Sequence, residues 1–301
     1  MEGPRGERIA TVLLYLAPAM FACNILIARA TFDFIPPVAL AFWRWAGTLL
    51  LLLPMVGAGL WRGRHLLVAE WKDLAVLGAL GMGVCGVFVY VAAQTTTATN
   101  IGLIYAASPV LIILLSRFIW GEVMSGRQLF GVALALLGVL IIICKADPQV
   151  LLDVDFTAGD LWAFSAMVGW AVYSVMLSHR PSAMPVQLRF GAICLFGILI
   201  LLPFLIWESV MVAVPRLDAT TVGAMALLAL VPGFGAYQAY GLIQKSLGPS
   251  RTGLLIYLLP VYSALLAVLL LGESLKGYHY LGACLVLLGL LLATRKPRAG
   301  S

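Results

Sequence analysis

Residues able to do chemistry are sparse in this chain, and those that exist stand inside long apolar runs. Met82, Gly86 and Tyr90 recur at every fourth position, which places them on one face of a helix. Tyr237, Tyr240 and Gln244 fall in a later run, Trp170 and Tyr173 in another, and Tyr105 and Ser108 in a fourth. A phenol or indole among aliphatic residues wants a hydrogen-bond partner beside an apolar ring neighbour. That pairing suits a cavity for solutes with one polar and one apolar part. Asn24 adds an amide of the same use. Arg44 alone carries a charge well inside a run, where an ionisable group costs about 2.5–3.5 kcal/mol or more. Its place about six residues from the run's end lets it snorkel to the surface, the alternatives being a partner carboxylate or a gate.

Other chemistries lack their residues. Gly81-Met82-Gly83-Val84-Cys85-Gly86 satisfies G-x-G-x-x-G. A dinucleotide site needs a strand before that motif, a helix opening after it and an acidic residue about 20 positions on. None is present, so with Gly78 and Ala79 the segment is expected to be a small-residue face that lets helices approach closely in lipid. Walker-type phosphate loops, H-E-x-x-H and G-x-S-x-G are absent, and His65, His179 and His279 stand singly in predicted loops. Cys23, Cys85, Cys144, Cys194 and Cys284 lie in apolar stretches without a Cys-x-x-Cys pair and read as small hydrophobes. No catalytic residue, cofactor or metal ligand is expected, and the chain does not read as an enzyme.

The elements that must hold these residues follow from composition. Of 301 residues, 62% are hydrophobic and 11% charged, and the mean hydropathy is +1.04. A soluble particle of this size needs far more polar surface. The class expected is an all-α polytopic membrane protein. Apolar runs long enough to span about 30 Å of hydrocarbon fall near 9–29, 38–57, 74–93, 100–119, 128–145, 160–178, 187–207, 219–243, 251–271 and 278–294. These predict ten transmembrane helices with short connections, the first a retained helix and not a signal peptide. The net charge of +6 is scattered singly, not gathered into a nucleic-acid stripe. Most of the 19 Lys and Arg, including Arg5, Arg62, Lys72, Arg180, Lys245 and Arg298, fall on the side of the N-terminus. Both termini are therefore expected in the cytoplasm and residues 146–158 outside.

Shifting the sequence by 151 positions lays residues 102–145 on 253–296 without a gap. Gly102, Pro109, Gly121-Glu122, Gly131 and Gly138 then fall on Gly253, Pro260, Gly272-Glu273, Gly282 and Gly289. Apolar bias would align Leu with Leu, but not Gly, Pro and Glu in one register. The chain reads as a duplication, 1–147 and 148–301, with five helices in each half. An odd number per half makes the repeats inverted, the organisation of carriers that alternate access about a central site.

Met20-Phe21-Ala22-Cys23-Asn24 followed by Arg44-Trp45, then Pro109, Gly121-Glu122, Gly131 and Gly138, resembles the repeat unit of EamA-type members of the drug/metabolite transporter superfamily. Gly169-Trp170, Arg189-Phe190, Pro260, Gly272-Glu273, Gly282 and Gly289 repeat it, with Ala171 where Asn24 would recur. The aromatic-rich version here is most similar to bacterial exporters of aromatic amino acids. The resemblance implies a bacterial inner-membrane carrier exporting small amphiphilic metabolites, aromatic or apolar amino acids first among them. The expected partners are a small-molecule substrate and the lipid bilayer, with no nucleic acid, and a monomer is expected. A nucleotide-sugar, drug or other metabolite carrier of the same fold, or a proton-coupled antiporter, remains the alternative. A non-transporting membrane scaffold or lipid-modifying enzyme is the rival of a different class.

The residues expected to line the cavity are Asn24, Met82, Tyr90, Tyr105, Ser108, Trp170, Tyr173, Tyr237, Tyr240 and Gln244. Pro109 and Pro260, each removing a mid-helix hydrogen bond at equivalent places, are expected as hinges. Glu122 and Glu273 are expected to cap the turns into the fifth and tenth helices. No run carries a carboxylate at its middle, which favours facilitated diffusion over ion coupling, although Asp160 or Glu208 could serve a coupled mechanism.

Overall fold

Where no water is available to unpaired amides, an apolar chain satisfies its backbone by forming helices. The computed structural model describes residues 4–120, 125–143, 145, 157–216, 218–247 and 254–294, and every regular element among them is helical. The first half folds as α1 (Pro4–Thr31), α2 (Pro37–Arg62), the short α3 (Arg64–Ala69), α4 (Trp71–Thr95), α5 (Ala98–Tyr105), α6 (Ser108–Trp120) and α7 (Gly126–Ile143). The second half folds as α8 (Ala158–His179), α9 (Val186–Met211), α10 (Ala219–Ile243, its last turn reaching Leu247), α11 (Leu254–Leu271) and α12 (Gly277–Thr294).

Six of the described helices, α1, α2, α4, α8, α9 and α10, are long and apolar enough to cross a membrane. Four shorter apolar stretches, Ala98–Ile112, Gly126–Ile142, Leu258–Leu271 and Gly277–Gly289, accompany them. Three long and two short occur in each half, in the same order. Leu199, Phe204 and Trp207 of α9, Phe118 of α6 and Leu269 of α11 face outward and exposed, as surfaces bathed in lipid do.

Corresponding helices of the two halves pack on one another. In α2 and α9, a Cβ placed on Gly59 would meet Leu188 at 3.0 Å, and one on Gly191 would meet Val56 at 2.9 Å. Glu208, at the far end of α9, reaches the start of α2, so the pair runs antiparallel. In α7 and α12 a Cβ on Gly138 would meet the Gly282 carbonyl at 2.8 Å, and one on Gly289 would meet the Gly131 carbonyl at 2.5 Å. This pair is antiparallel as well, held by a seam of glycines that lets backbones touch. Other contacts exchange halves: α1 packs on α10 and α11, while α8 packs on α4, α5 and α6. Each half offers its counterpart the same surfaces, the contact pattern of a two-fold relation.

The third long helix of each half widens into a π turn, at Ala79–Val84 in α4 and at Ala229–Gly235 in α10. These places correspond under the 151-residue shift. Gly81, Gly83, Pro232, Gly233 and Gly235 supply weak helix formers there, and such turns recur at functional sites. Small residues also let neighbours close in. A Cβ on Gly78 would lie 2.7 Å from the Gly197 nitrogen of α9, and one on Gly81 would lie 2.8 Å from the Tyr173 ring of α8.

Two sequence expectations need correction. Pro109 is not mid-helix: the fourth run breaks at Ala106–Ala107, and Pro109 occupies the first turn of α6, where a missing N–H costs nothing. Pro260, by contrast, lies inside α11 as the sequence expects. The histidines do not lie in loops, because His65 falls in α3, His179 ends α8 and His279 is buried in the first turn of α12. Glu122 and most of the 146–158 segment lie outside the described residues.

Candidate functional site

Arg44, about two turns into α2 from Pro37, does not snorkel. It is only 6% exposed and points into the bundle. Its guanidinium lies over the Trp45 ring, 4.2 Å from the centroid. Its one side-chain hydrogen bond among the described residues is long, 3.4 Å from Nη1 to the Tyr90 hydroxyl. Tyr90 in turn donates its proton to Asn24 Oδ1 at 2.7 Å. The chain Arg44, Tyr90, Asn24 thus ties α2 to α4 and α1. Among the described residues, Arg44 Nε, Trp45 Nε1 and the Tyr105 hydroxyl are buried without partners, groups that native interiors ordinarily pair with protein, water or a bound solute.

Aromatic rings stand beside this polar group. Phe190 of α9 stacks on Tyr237 of α10 with centroids 4.6 Å apart. Phe21 of α1 and Trp45 of α2 meet Tyr237 edge-on at 5.6 and 6.1 Å. Tyr105 of α5 packs against the same core as Tyr90 and Trp45. Gly86 makes the arrangement possible, since a Cβ there would sit 3.2 Å from Trp45 Nε1. Phe21, Asn24, Tyr105, Phe190 and Tyr237 are partly open, and Tyr105, Phe190 and Tyr237 pack against the core. Aromatic surface plus unmet donors is what an amphiphilic solute needs.

The remaining sequence candidates scatter. Trp170 and Tyr173 of α8 lie ring to ring at 5.4 Å, Tyr173 against the π turn of α4. Met82 is fully buried against Gly197, a packing position, and Ser108 is buried at the start of α6. Tyr240 is exposed on α10, and the side chain of Gln244 lies outside those described. Pro260 borders an apolar groove of about 320 Å³ between α5, α11 and α12.

A second polar cluster closes the end of the bundle where α4 stops and α8 begins. Asp160 is fully buried and accepts from Thr96 Oγ1 at 2.5 Å, from Asn100 Nδ2 at 3.1 Å and from Thr157. His279 takes the Lys276 amide proton on Nδ1 at 2.9 Å, which leaves Nε2 to donate to Asn100 Oδ1 at 3.0 Å. Glu273 accepts from the Ala98 nitrogen at 2.8 Å and from the Thr99 nitrogen and hydroxyl at 3.1 and 2.7 Å. It therefore caps α5 of the other half, not the turn into α12. Glu208 accepts from the Val38 and Ala39 nitrogens at 3.0 and 2.8 Å, and Arg29 donates to the Ala93 carbonyl at 2.6 Å. Helix N-termini favour these carboxylates. The only sequence signal for this cluster is the spacing Thr157-x-x-Asp160, a capping pattern.

The opposite end is held more thinly. Glu70 accepts from Ser182 Oγ at 2.7 Å and from the Ala183 nitrogen at 2.9 Å. Arg180 pairs with Asp73 at 3.2 Å, both partly exposed. Arg189, which with Phe190 repeats the Arg-aromatic pair of Arg44-Trp45 in sequence, donates to the Leu177 and Arg180 carbonyls at 3.2 and 3.0 Å.

An all-helical membrane protein built of two similar halves, with a polar and aromatic site where they meet, is the class this fold and site define. The EamA-like transporter family model matches the chain twice, over residues 8–144 and 157–295. The chain belongs to the EamA-like transporter family. It is 26% identical to the uncharacterized transporter YyaM of Bacillus subtilis, over 89% of this chain and 88% of that protein. It is 30% identical over 194 residues to a protein of Escherichia coli named a probable amino-acid metabolite efflux pump, covering 63% of this chain and 65% of that one. A protein of known crystal structure shares the fold with a TM-score of 0.61 and 23% identity, over 95% of this chain and 96% of the other.

Proposed function

We propose that the chain is a bacterial inner-membrane carrier that exports small amphiphilic metabolites, with aromatic and apolar amino acids as its main substrates. It would work by alternating access about the site between its halves. The observation that carries this reading is the pairing of Arg44, Trp45 and Tyr105, with their unmet donors, and the Phe190–Tyr237 stack. The name of the Escherichia coli relative points to the same substrate class.

In this reading the six long helices and four shorter ones make ten crossings, with repeats 1–147 and 148–301 inverted and both termini cytoplasmic. The antiparallel pairing of α2 with α9 and α7 with α12 supports the inversion. The cluster around Asp160 then closes the outer side. Opening would pivot about the break before Pro109 and about Pro260, where a lost backbone bond makes bending cheap. Transport runs down the substrate gradient.

A second reading, proton-coupled antiport, rests on the buried Asp160–Asn100–His279 chain. A nucleotide sugar would want several cations, and among the described residues Arg44 is the one cation in the site. Cells expressing the protein and preloaded with labelled phenylalanine should lose label faster than controls. Unchanged loss for phenylalanine, tryptophan and leucine alike would contradict the reading.

A further inference from the structure

Arg44 carries a positive charge deep in the bundle, and among the described residues no carboxylate pairs with it. A buried charge without a counterion is costly, and removing one partner of a buried pair is strongly destabilising. The guanidinium is held as a receptor would hold it. Its face is covered by the Trp45 indole at 4.2 Å, and its edge bears Nε without a partner and Nη1 on a weak 3.4 Å contact. Tyr90 cannot serve as the missing anion, because its proton goes to Asn24 and only neutral oxygen lone pairs face Arg44.

The repeat sharpens the point. Gly241 and Ile256 stand where the 151-residue shift would repeat Tyr90 and Tyr105. Arg189, near the start of α9, gives Nη1 and Nη2 to main-chain carbonyls, and among the described residues its Nε has no partner. The scaffold is duplicated but the polar site is single. One cation sits among aromatic rings, and among the described residues no carboxylate is there to recognise an ammonium.

We propose that Arg44 is the anchor for the carboxylate of the transported solute, and that an apolar monocarboxylate suffices as substrate whether or not it carries an α-ammonium. This rests on the carrier function proposed above and names its substrate chemistry. The planar fork of the guanidinium takes a carboxylate through two parallel hydrogen bonds. Trp45 offers a donor beside it, and the Phe190–Tyr237 stack receives the apolar body.

The test uses the full chain in liposomes with four probes of one carbon skeleton: phenylalanine, 3-phenylpropionate, phenylalaninamide and phenethylamine. Counterflow and thermal stabilisation in detergent are read for each. The two carboxylates should be carried and should stabilise the protein at about tenfold or more lower concentration than the amide or amine, the range of a charge-assisted hydrogen bond. Arg44→Gln should bring acid and amide within about twofold of each other, while Arg44→Lys keeps part of the preference. If wild type handles acids, amide and amine alike, or if Arg44→Gln keeps the preference, the anchor is overturned and the carrier function stands. If none of the four is carried or bound, both fall together.

Discussion

Asn100 joins the two halves of the chain through His279: its amide oxygen meets His279 Nε2 at 3.0 Å, while its nitrogen donates to Asp160 at 3.1 Å. One side chain of α5 thus links the first helix of the second half to the last. The cluster holds the bundle closed at that end, and its loss should be felt as stability before it is felt as transport.

Asp160→Ala leaves Thr96, Thr157 and Asn100 with unmet groups in a buried site. The cost should be about 3 kcal/mol or more, since each of the three stranded polar groups costs about 1–3 kcal/mol. Thermal unfolding in detergent should show a clear drop for this variant and a smaller one for Asp160→Asn, which keeps an acceptor oxygen. An unchanged midpoint for Asp160→Ala would mean the cluster is ornamental.

The glycines divide into two sets. Gly138→Val and Gly289→Val push a side chain into the facing backbone of the α7–α12 seam and should destabilise by about 1–3 kcal/mol or prevent folding. Gly83→Ala and Gly241→Ala add a Cβ that meets nothing within 4 Å and should leave the yield of folded protein unchanged. Equal behaviour of the two sets would contradict the packing.

Topology can be read by labelling single cysteines after the native ones are replaced. Ala69→Cys, on α3, should react from the cytoplasm, and Ala213→Cys, after α9, from outside. Reversed labelling would invert the orientation, and labelling of both from one side would break the count of crossings.

Tyr237 touches Phe21, Trp45 and Phe190. An aromatic pair is worth about 0.5–1.5 kcal/mol beyond its buried area, so Tyr237→Ala should weaken transport of ring-bearing substrates by up to about tenfold. Leucine or valine should suffer less. Equal loss for every substrate, with a lower unfolding midpoint, would assign Tyr237 to packing alone.

Helix class, the glycine seams and the duplication were legible because each leaves a local or periodic mark, as in the register of Gly138 with Gly289. Tyr90, Tyr105 and Tyr237 were legible as candidates for a simpler reason: polar rings are rare in such runs. The inward turn of Arg44 was not, because depth along a helix does not say which face meets lipid. Neither was the bond from Asn100 to His279, which spans 179 residues and follows no repeat. Pro109 misled because proline marks both a bend and a helix start, and Ala106–Ala107 decided for the start.

The central claim, a carrier that moves amphiphilic metabolites down their own gradient, is tested most directly by flux into liposomes holding the purified chain. Labelled phenylalanine, tryptophan and leucine should enter saturably until inside and outside concentrations are equal, and an imposed pH difference should leave that end point unmoved. Accumulation above the outside concentration under a pH gradient would contradict facilitated diffusion and favour coupling through Asp160 and His279. No protein-dependent flux for any of the three would contradict the account itself.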